Sequence, residues 1–280
     1  MTMCDPVYSE PVPEAPEVPL AGGDVTAGMA RVGNTVRRPT GPYSPAVHAF
    51  LRHLEGTGFD GAPRFLGIDG KGREVLSFIE GEVAGRPRPR WVLDEGVVQG
   101  VGTLLRRLHE SATDFALPAG VAWPAPFDIA GVPLPFDAAD IVGHNDVTMD
   151  NVVFRSGAPV AFIDFDLAGP TTRLHDLVAA MRYWAPLFAR ADREAGQCDL
   201  DAGRRMRLMA DAYGLDALGR SELLDIADRR FARTWHTMRY RAENFGGGWA
   251  RMWSEGVGGR ILRAREWLRG EHDRMREALR

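Results

Sequence analysis

The spacing of apolar positions changes near residue 90. Before it, apolar residues come in short runs broken by glycine, and after it they recur mostly at helical intervals. Met29–Val32 and Thr35–Arg38 flank Gly33-Asn34, which predicts a hairpin, because such a pair suits the positive φ angles of a tight turn. Ser44-Pro45 reads as the start of a helix whose stripe is Val47, Phe50, Leu51 and Leu54, ended by Gly56 and Gly58. Arg64–Ile68 and Arg73–Ile79 predict two more strands around the turn Asp69-Gly-Lys-Gly72. Beyond Arg86-Pro-Arg-Pro89, a helix is predicted from Val97, Val98, Val101, Leu104, Leu105 and Leu108. A proline-studded loop spans Pro118 to Pro135. Val152–Phe154 and Val160–Ile163 then predict a second hairpin around Ser156-Gly157. From about Leu174 the chain reads as helices, the last with Ile261, Ala264, Leu268, Met275 and Leu279 on one face.

This pattern divides the chain into three parts. Residues 1–19 carry Pro6, Pro11, Pro13, Pro16 and Pro19 among Asp5, Glu10, Glu14 and Glu17, and are expected to be a disordered tail with little to bury. Residues 20–80 form a small strand-rich lobe with one inserted helix. Residues 81–280 form a larger, mainly helical lobe. The class is α+β.

Composition excludes several functions. The chain has 280 residues, a net charge of −4 and 45% hydrophobic residues, ordinary values for a soluble globular protein. The central apolar run Ala158–Ile163 is too short to cross a bilayer, and no basic and apolar leader opens the chain. Cys4 and Cys198 stand alone, which fits a reducing cytoplasm rather than a disulfide framework. A net acidic chain is not expected to bind nucleic acid in general. Of the 34 basic residues only Lys71 is a lysine. Coding bias explains the arginine excess except where a site demands a lysine.

The chemistry concentrates in residues 141–166. If Val152–Phe154 pairs with Val160–Ile163, the open end of that hairpin brings Asn151 beside Asp164. An amide oxygen and a carboxylate there are hard ligands suited to Mg²⁺, with water and phosphate completing the shell. Asp146 lies on the preceding loop, within reach of the same point. One carboxylate to handle a proton and two oxygen ligands for a metal are the minimum equipment for phosphoryl transfer.

His144-x-Asp146-x4-Asn151, a hairpin, and Asp164-x-Asp166 resemble the catalytic and metal loops of aminoglycoside phosphotransferases and related small-molecule kinases, which share the protein-kinase-like fold. The order of the first hairpin, the inserted helix, the strand ending in Glu80-Gly81, Leu105-x-x-Leu108-His109 and Asp176-Leu177 extends the resemblance from about residue 20 onward. It implies a two-lobed fold and transfer of a nucleotide γ-phosphate to the hydroxyl of a small molecule, aminoglycoside-like or other, in the cytoplasm. Asp146 would be the base, Asn151 and Asp164 would hold Mg²⁺, and ATP or GTP would be the donor. His144 would brace the loop and Asp176 would anchor it. Asp166 would support a second metal or cap the next turn.

On the nucleotide side, Gly22 and Gly23 would cover the phosphates and Phe78, Ile79 and Glu80 would meet the base. The strand lysine that grips phosphates in such enzymes is missing. Arg37 or Arg38 takes its place, and alternation allows only one to face the cleft. The inserted helix offers His48 where a glutamate partner is expected. For the acceptor, Trp184, Phe188, Trp235, Tyr240, Trp249 and Trp253, with Asp192, Glu194, Asp199, Asp201 and Glu243, could wall an acidic aromatic cleft or could be ordinary core and surface. The missing lysine also motivates a second reading, a non-catalytic nucleotide- or ligand-binding module. A histidine-based metal hydrolase is a third, poorly served by two histidines so far apart.

Overall fold

Gly33, at φ +58°, turns β2 (Ala30–Val32) back onto β3 (Thr35–Arg38), as the Gly-Asn pair predicts. The structure, a computed structural model, describes residues 15–20, 28–125, 129 and 131–280. β1 (Glu17–Pro19), β4 (Phe65–Ile68) and β5 (Glu74–Ser77) complete an antiparallel sheet of order β1-β2-β3-β5-β4. Across β3 and β5, Arg37 is paired with Val75 and Arg38 with Glu74.

β1 corrects the tail expectation for its last residues. Glu17–Pro19 pairs with Val32–Ala30 despite two nearby prolines. An edge strand has one side without a ladder, where a missing N–H costs nothing. Glu17 also binds Lys71 Nζ at 2.7 Å and Arg73 Nη2 at 2.8 Å. The chain's one lysine therefore fastens the edge strand. Residues 1–14 lie outside the described residues.

α1 (Ser44–Gly56) buries Ala46, His48, Phe50, Leu51 and Leu54. Its N-cap is Tyr43 rather than Ser44, whose hydroxyl instead accepts from the Gly41 N–H at 2.8 Å. β6 (Glu82–Val83) then leaves the small lobe by pairing with β8 (Val152–Arg155). β8 pairs in turn with β9 (Ala158–Phe162), and Val152 faces Phe162 across the predicted hairpin. Ser156 and Gly157 both take positive φ in its turn.

The larger lobe begins with α2 (Glu95–Ser111), whose predicted stripe is buried throughout. β7 (Ile141–Gly143) pairs with β10 (Gly169–Thr171), bracketing the residues of chemical interest. α3 (Arg173–Trp184), α4 (Ala202–Tyr213), α5 (Ala217–Phe245), α6 (Gly247–Ser254), α7 (Val257–Gly270) and α8 (His272–Leu279) complete the lobe. One contiguous core runs from Phe50 and Leu54 through Leu105 and Leu108 to Trp184, Met206 and Leu268. Trp184 is fully buried, with its Nε1–H donated to the Val147 carbonyl at 2.9 Å. It belongs to the core and supports the loop carrying Asp146 from behind instead of walling a cleft. No described helix is long and apolar enough to cross a membrane.

Candidate active site

The loop after β7 is built around one buried carboxylate. Asp176, on the first turn of α3, accepts from the His144 N–H at 2.8 Å, the Asn145 N–H at 2.7 Å and His109 Nε2 at 3.0 Å. Burial would raise its pKa, but the hydrogen bond and charge of His109 and the His144 contacts outweigh that and bring it down to about 2. Gly143 is required here, because a Cβ at that position would collide with the Asp176 carboxylate and the Thr171 side chain. Asn145 takes a left-handed φ of +63°, a conformation asparagine tolerates, and its amide donates to the Leu167 and Gly169 carbonyls at 3.1 and 3.2 Å. His144 Nε2 donates to the Ile163 carbonyl at 3.0 Å. These bonds fix the backbone on both sides of Asp146.

Asp146 meets Asn151 directly. Asn151 Nδ2 donates to Asp146 Oδ2 at 3.0 Å and to the Asp146 carbonyl at 2.9 Å. That leaves Asn151 Oδ1 as an uncommitted acceptor. Burial pushes the Asp146 carboxyl above its usual range, His144 opposes the shift and Asp164 adds to it. Ile163 N–H donates to Asn151 O at 2.9 Å, which closes the hairpin's open end and brings Asp164 next in line. Asp164 itself sits at φ +63°. Left-handed backbone at both Asn145 and Asp164 costs free energy that the surrounding bonds must hold in place, as is common at functional sites. Asn151 Oδ1 and the Asp164 carboxylate are hard oxygen donors, the kind that suits a small divalent cation. Among the described residues no group of three or more His, Cys, Asp or Glu side chains converges as a metal cage.

The register of β3 with β5 turns the two arginines to opposite sides. Arg38 is 5% exposed, with Nε 3.0 Å from Glu74 and Nη2 3.3 Å from Asp164; the same Nη2 touches the Asp166 carboxylate. Arg37 faces the other side, where it bonds Thr35 Oγ1 at 2.5 Å and lies 3.6 Å from Asp69. Burial lowers the affinity of Arg38 for its proton, but Asp166, Asp164 and Glu74 more than restore it. Sequence reasoning missed Glu74. His48 of α1 reaches Glu74 at 2.6 Å and stacks on Phe65 with ring centroids 3.7 Å apart. The carboxylate partner of the strand cation is therefore on the adjacent strand, with the helix contributing a histidine behind it.

The remaining nucleotide-side residues divide. Phe78 N–H donates to Asn34 O at 2.8 Å, with the Arg31 guanidinium 3.6 Å above the Phe78 ring. Glu80 pairs with Arg31 at 2.8 Å, and its carbonyl accepts from Arg155 at 2.8 Å. Ile79 alone of the three keeps its backbone N–H and C=O outside these bonds. Gly22 and Gly23 lie outside the described residues.

A sequence model described as "phosphotransferase enzyme family" matches residues 122–209. The trifolitoxin immunity protein of Rhizobium leguminosarum bv. trifolii is 37% identical over 215 residues, covering 75% of this chain and 78% of that protein. The chain belongs to the phosphotransferase enzyme family. Among solved structures, a choline/ethanolamine kinase family protein from Mesorhizobium loti matches with a TM-score of 0.60 at 17% identity, covering 95% of this chain and 92% of that one. A gentamicin–APH(2'')-IIa complex matches at 0.59 and 14%, covering 89% and 92%. The GDP complex of aminoglycoside 2'-phosphotransferase-IIIa matches at 0.55 and 13%, covering 87% and 93%. At these identities the likeness shows the fold, which is two-lobed and kinase-like.

In this phosphotransferase the acids of the helical region are paired with arginines, as surface residues are. Asp192 pairs with Arg263 at 2.6 Å, Glu194 with Arg88 at 3.1 Å and Asp199 with Arg190 at 2.8 Å. Asp201 caps α4 through the Arg204 N–H and binds Arg274 at 3.1 Å, and Glu243 binds Arg239 at 2.8 Å. Each of these acids is matched by an arginine. Trp235 packs edge-on against Trp253, and Trp249 lies beneath Arg241 at 4.5 Å. The arginines of α3 and α5 carry no signal in the sequence, because a helical arginine is most often a solvated one.

Proposed function

We propose that this chain is a kinase of a small-molecule hydroxyl, using ATP or GTP and Mg²⁺. The observation that carries the reading is the Asn151 amide bonded to the Asp146 carboxylate at the end of the hairpin that delivers Asp164. Asp146 is the base: its Oδ2 is held by Asn151, so the other oxygen is left to accept a hydrogen bond from the acceptor hydroxyl. Its raised proton affinity suits a group that takes up that proton as the phosphoryl group arrives. Asn151 Oδ1 and Asp164 hold the cation, which when bound neutralises phosphate charge. Arg38 takes the place of the phosphate-gripping lysine, with Glu74 and His48 fixing its direction. An arginine fork binds phosphate through two parallel N–H groups, so the replacement keeps the contact while changing its geometry. The phosphoryl group moves to the acceptor oxygen, the proton moves to Asp146, and nucleoside diphosphate leaves.

The name of the 37% identical relative adds a setting. The acceptor of this chain is then a toxic compound disarmed by phosphorylation of a hydroxyl. The test is a nucleotide-consumption screen across hydroxylated acceptors, with Asp146→Asn as control. Turnover should fall by about 10³-fold in that variant while Mg–nucleotide binding persists. Mg–nucleotide binding without turnover of any acceptor would favour the non-catalytic module instead.

A further inference from the structure

The Arg86-Pro-Arg-Pro89 stretch leaves the small lobe alongside the turn that carries Asn151. β6 pairs with β8, Glu82 opposite Phe154 and Val83 opposite Val153. Further on, Trp91 packs edge-on against Phe154 with ring centroids 4.9 Å apart. Between these two contacts stands Arg88, whose side chain is only 6% exposed. Its Nη1 and Nη2 donate to Asp150 Oδ1 and Oδ2 at 2.6 and 2.8 Å. Nη1 also donates to the Ala84 carbonyl, and Nε donates to Glu194 Oε2 at 3.1 Å. All three nitrogens of the guanidinium are therefore committed. Arg86 adds a bond to Asp150 Oδ2 at 2.9 Å, but its side chain is 61% exposed, where an ion pair contributes little. The two-pronged grip of the buried guanidinium is the stronger contact, and it fixes orientation as well as distance.

These contacts close a ring around the short helical turn Met149–Asn151. Glu194 caps the next such turn, Ala195–Gln197, and its N–H donates to Gln197 Oε1 at 3.4 Å. The buried Gln197 places Nε2 4.0 Å from Met149 Sδ. Met149 adjoins Asp150, which returns to Arg88. At 41% exposure Asp150 could be solvated without a partner, but Arg88 could not. If Asp150 swung to solvent, Arg88 would keep one carboxylate, Glu194, for a buried charge, and breaking a buried pair is costly. The pair therefore resists rotation of the turn. Asn151, the next residue, inherits that constraint along the backbone, and its Nδ2 passes it to Asp146.

We propose that Arg88 is a positioning residue for Asn151: by holding Asp150 it sets the direction of the Asn151 amide, and with it both the oxygen offered to the cation and the bond to Asp146. The proposal rests on the phosphotransferase reading for the roles of Asn151 and Asp146, and on the ring of contacts for the role of Arg88. It also ties the cation end of the site to the segment leading away from Phe78, Ile79 and Glu80, because Arg88 belongs to that segment.

Two measurements on the full chain test this. Amide hydrogen exchange, followed by mass spectrometry over residues 144–154 without ligand, reads the turn. Paramagnetic resonance titration of Mn²⁺ in the presence of ADP or GDP reads the cation site. In Arg88→Met, exchange over that segment should quicken by about tenfold. Mn²⁺ affinity should fall by about tenfold, the lower end of what outer contacts to a metal ligand give. Arg88→Lys keeps the charge without the fork and should lie between Arg88→Met and the wild type in both readouts. Adding Asp150→Asn to Arg88→Met should lose little more, because both act through one contact. The control is Arg73→Met, which removes an arginine that likewise grips two carboxylates, Glu17 and Asp69, at the edge of the small-lobe sheet. It should lower the melting temperature and leave both readouts unchanged. If Arg88→Met does not fold, Arg88→Lys and Asp150→Asn give the same two readouts. Unchanged exchange over 144–154, Mn²⁺ affinity equal to that of a wild type that binds it, or equal shifts in Arg73→Met would each overturn the proposal. A wild type that binds no Mn²⁺ with either nucleotide removes the phosphotransferase reading instead, and faster exchange in Arg88→Met would even then support Arg88 as the brace of the turn.

Discussion

Two arginine clusters flank the same loop with opposite balances of charge. On the small-lobe side a single guanidinium, Arg38, touches three carboxylates: Glu74, Asp164 and Asp166. On the helical side Arg230 bonds the Asn145 carbonyl and His175 Nε2, and neither it nor Arg182 has a carboxylate within ion-pair distance among the described residues. The small-lobe cluster has negative charge to spare, which suits a site that takes up a divalent cation along with phosphates. The contrast shows that arginine content by itself says nothing about a site. What matters is how many acids each arginine is given, and that depends on the fold.

The largest expected effect comes from breaking the small-lobe cluster. Arg38→Met leaves Glu74, 4% exposed, facing Asp164 and Asp166 with no cation between them. Removing one partner of a buried pair costs about 3 kcal/mol, and urea denaturation should register that loss. Mg–nucleotide binding should weaken in parallel. The matching change on the other side, Arg230→Met, breaks no ion pair among the described residues and loses only the bonds to the Asn145 carbonyl and His175, so it should cost less in the same denaturation assay. Two arginines changed to the same residue are thus expected to lower stability by different amounts. Equal losses in both variants would erase the comparison.

Much of this arrangement is legible in the sequence, for identifiable reasons. The β8–β9 hairpin, the Asp146-to-Asn151 spacing and Asp164 are local along the chain, so alternation and turn residues are enough to bring them together. Alternation separates Arg38 from Arg37 in principle, but which one faces inward requires the register with β5. Glu74 is invisible because the expected glutamate belongs to the helix, and only the pairing of Arg38 with Glu74 places a strand carboxylate there. The acids of the helical region stay ambiguous between cleft and surface for the same reason. Their arginine partners, such as Arg263 for Asp192 and Arg88 for Glu194, lie far away in sequence and meet them only in the fold. β1 escapes notice because proline density argues against a central strand and says little about an edge.

A smaller effect should come from loosening Arg38 without removing it. Glu74→Gln keeps the shape of the side chain while replacing an ion pair and the short contact with His48 by neutral bonds. About 1 kcal/mol of positioning is at stake, or about fivefold in nucleotide KM, with kcat changed less. His48→Gln should act in the same direction and more weakly, because its stacking on Phe65 and its bond to Glu74 support Arg38 only through that carboxylate. Steady-state kinetics on both variants would separate the two contributions. An effect of His48→Gln on kcat alone would argue against this order of support.

The gentlest way to disturb the helical cluster is to protonate its neighbour. His175 Nε2 can only accept from the Arg230 guanidinium, so Nδ1 carries the proton and donates to Thr171 Oγ1 at 3.1 Å. Burial, and then the charge of Arg230, hold its pKa at about 3, below the ordinary 6.5. Because the unfolded chain binds that proton more readily, folding stability attributable to His175 is complete above the ordinary value and falls as pH drops toward the folded one. The slope is at most about 1.4 kcal/mol per pH unit. The depressed carboxylates, Asp176 and Asp228, each at about 2, lose their contribution only below their own ordinary value of 3.8. Glu17, brought to about 2 from an ordinary 4.5, begins to lose its contribution at the acid end of the interval from about pH 6 to about pH 4, so the histidine is isolated by the difference between wild type and a variant that cannot titrate. His175→Gln can still accept from Arg230 and donate to Thr171, and it cannot titrate. Its melting temperature should fall less steeply than that of the wild type across that interval. An unchanged slope in the variant would mean that His175 does not set this part of the pH response.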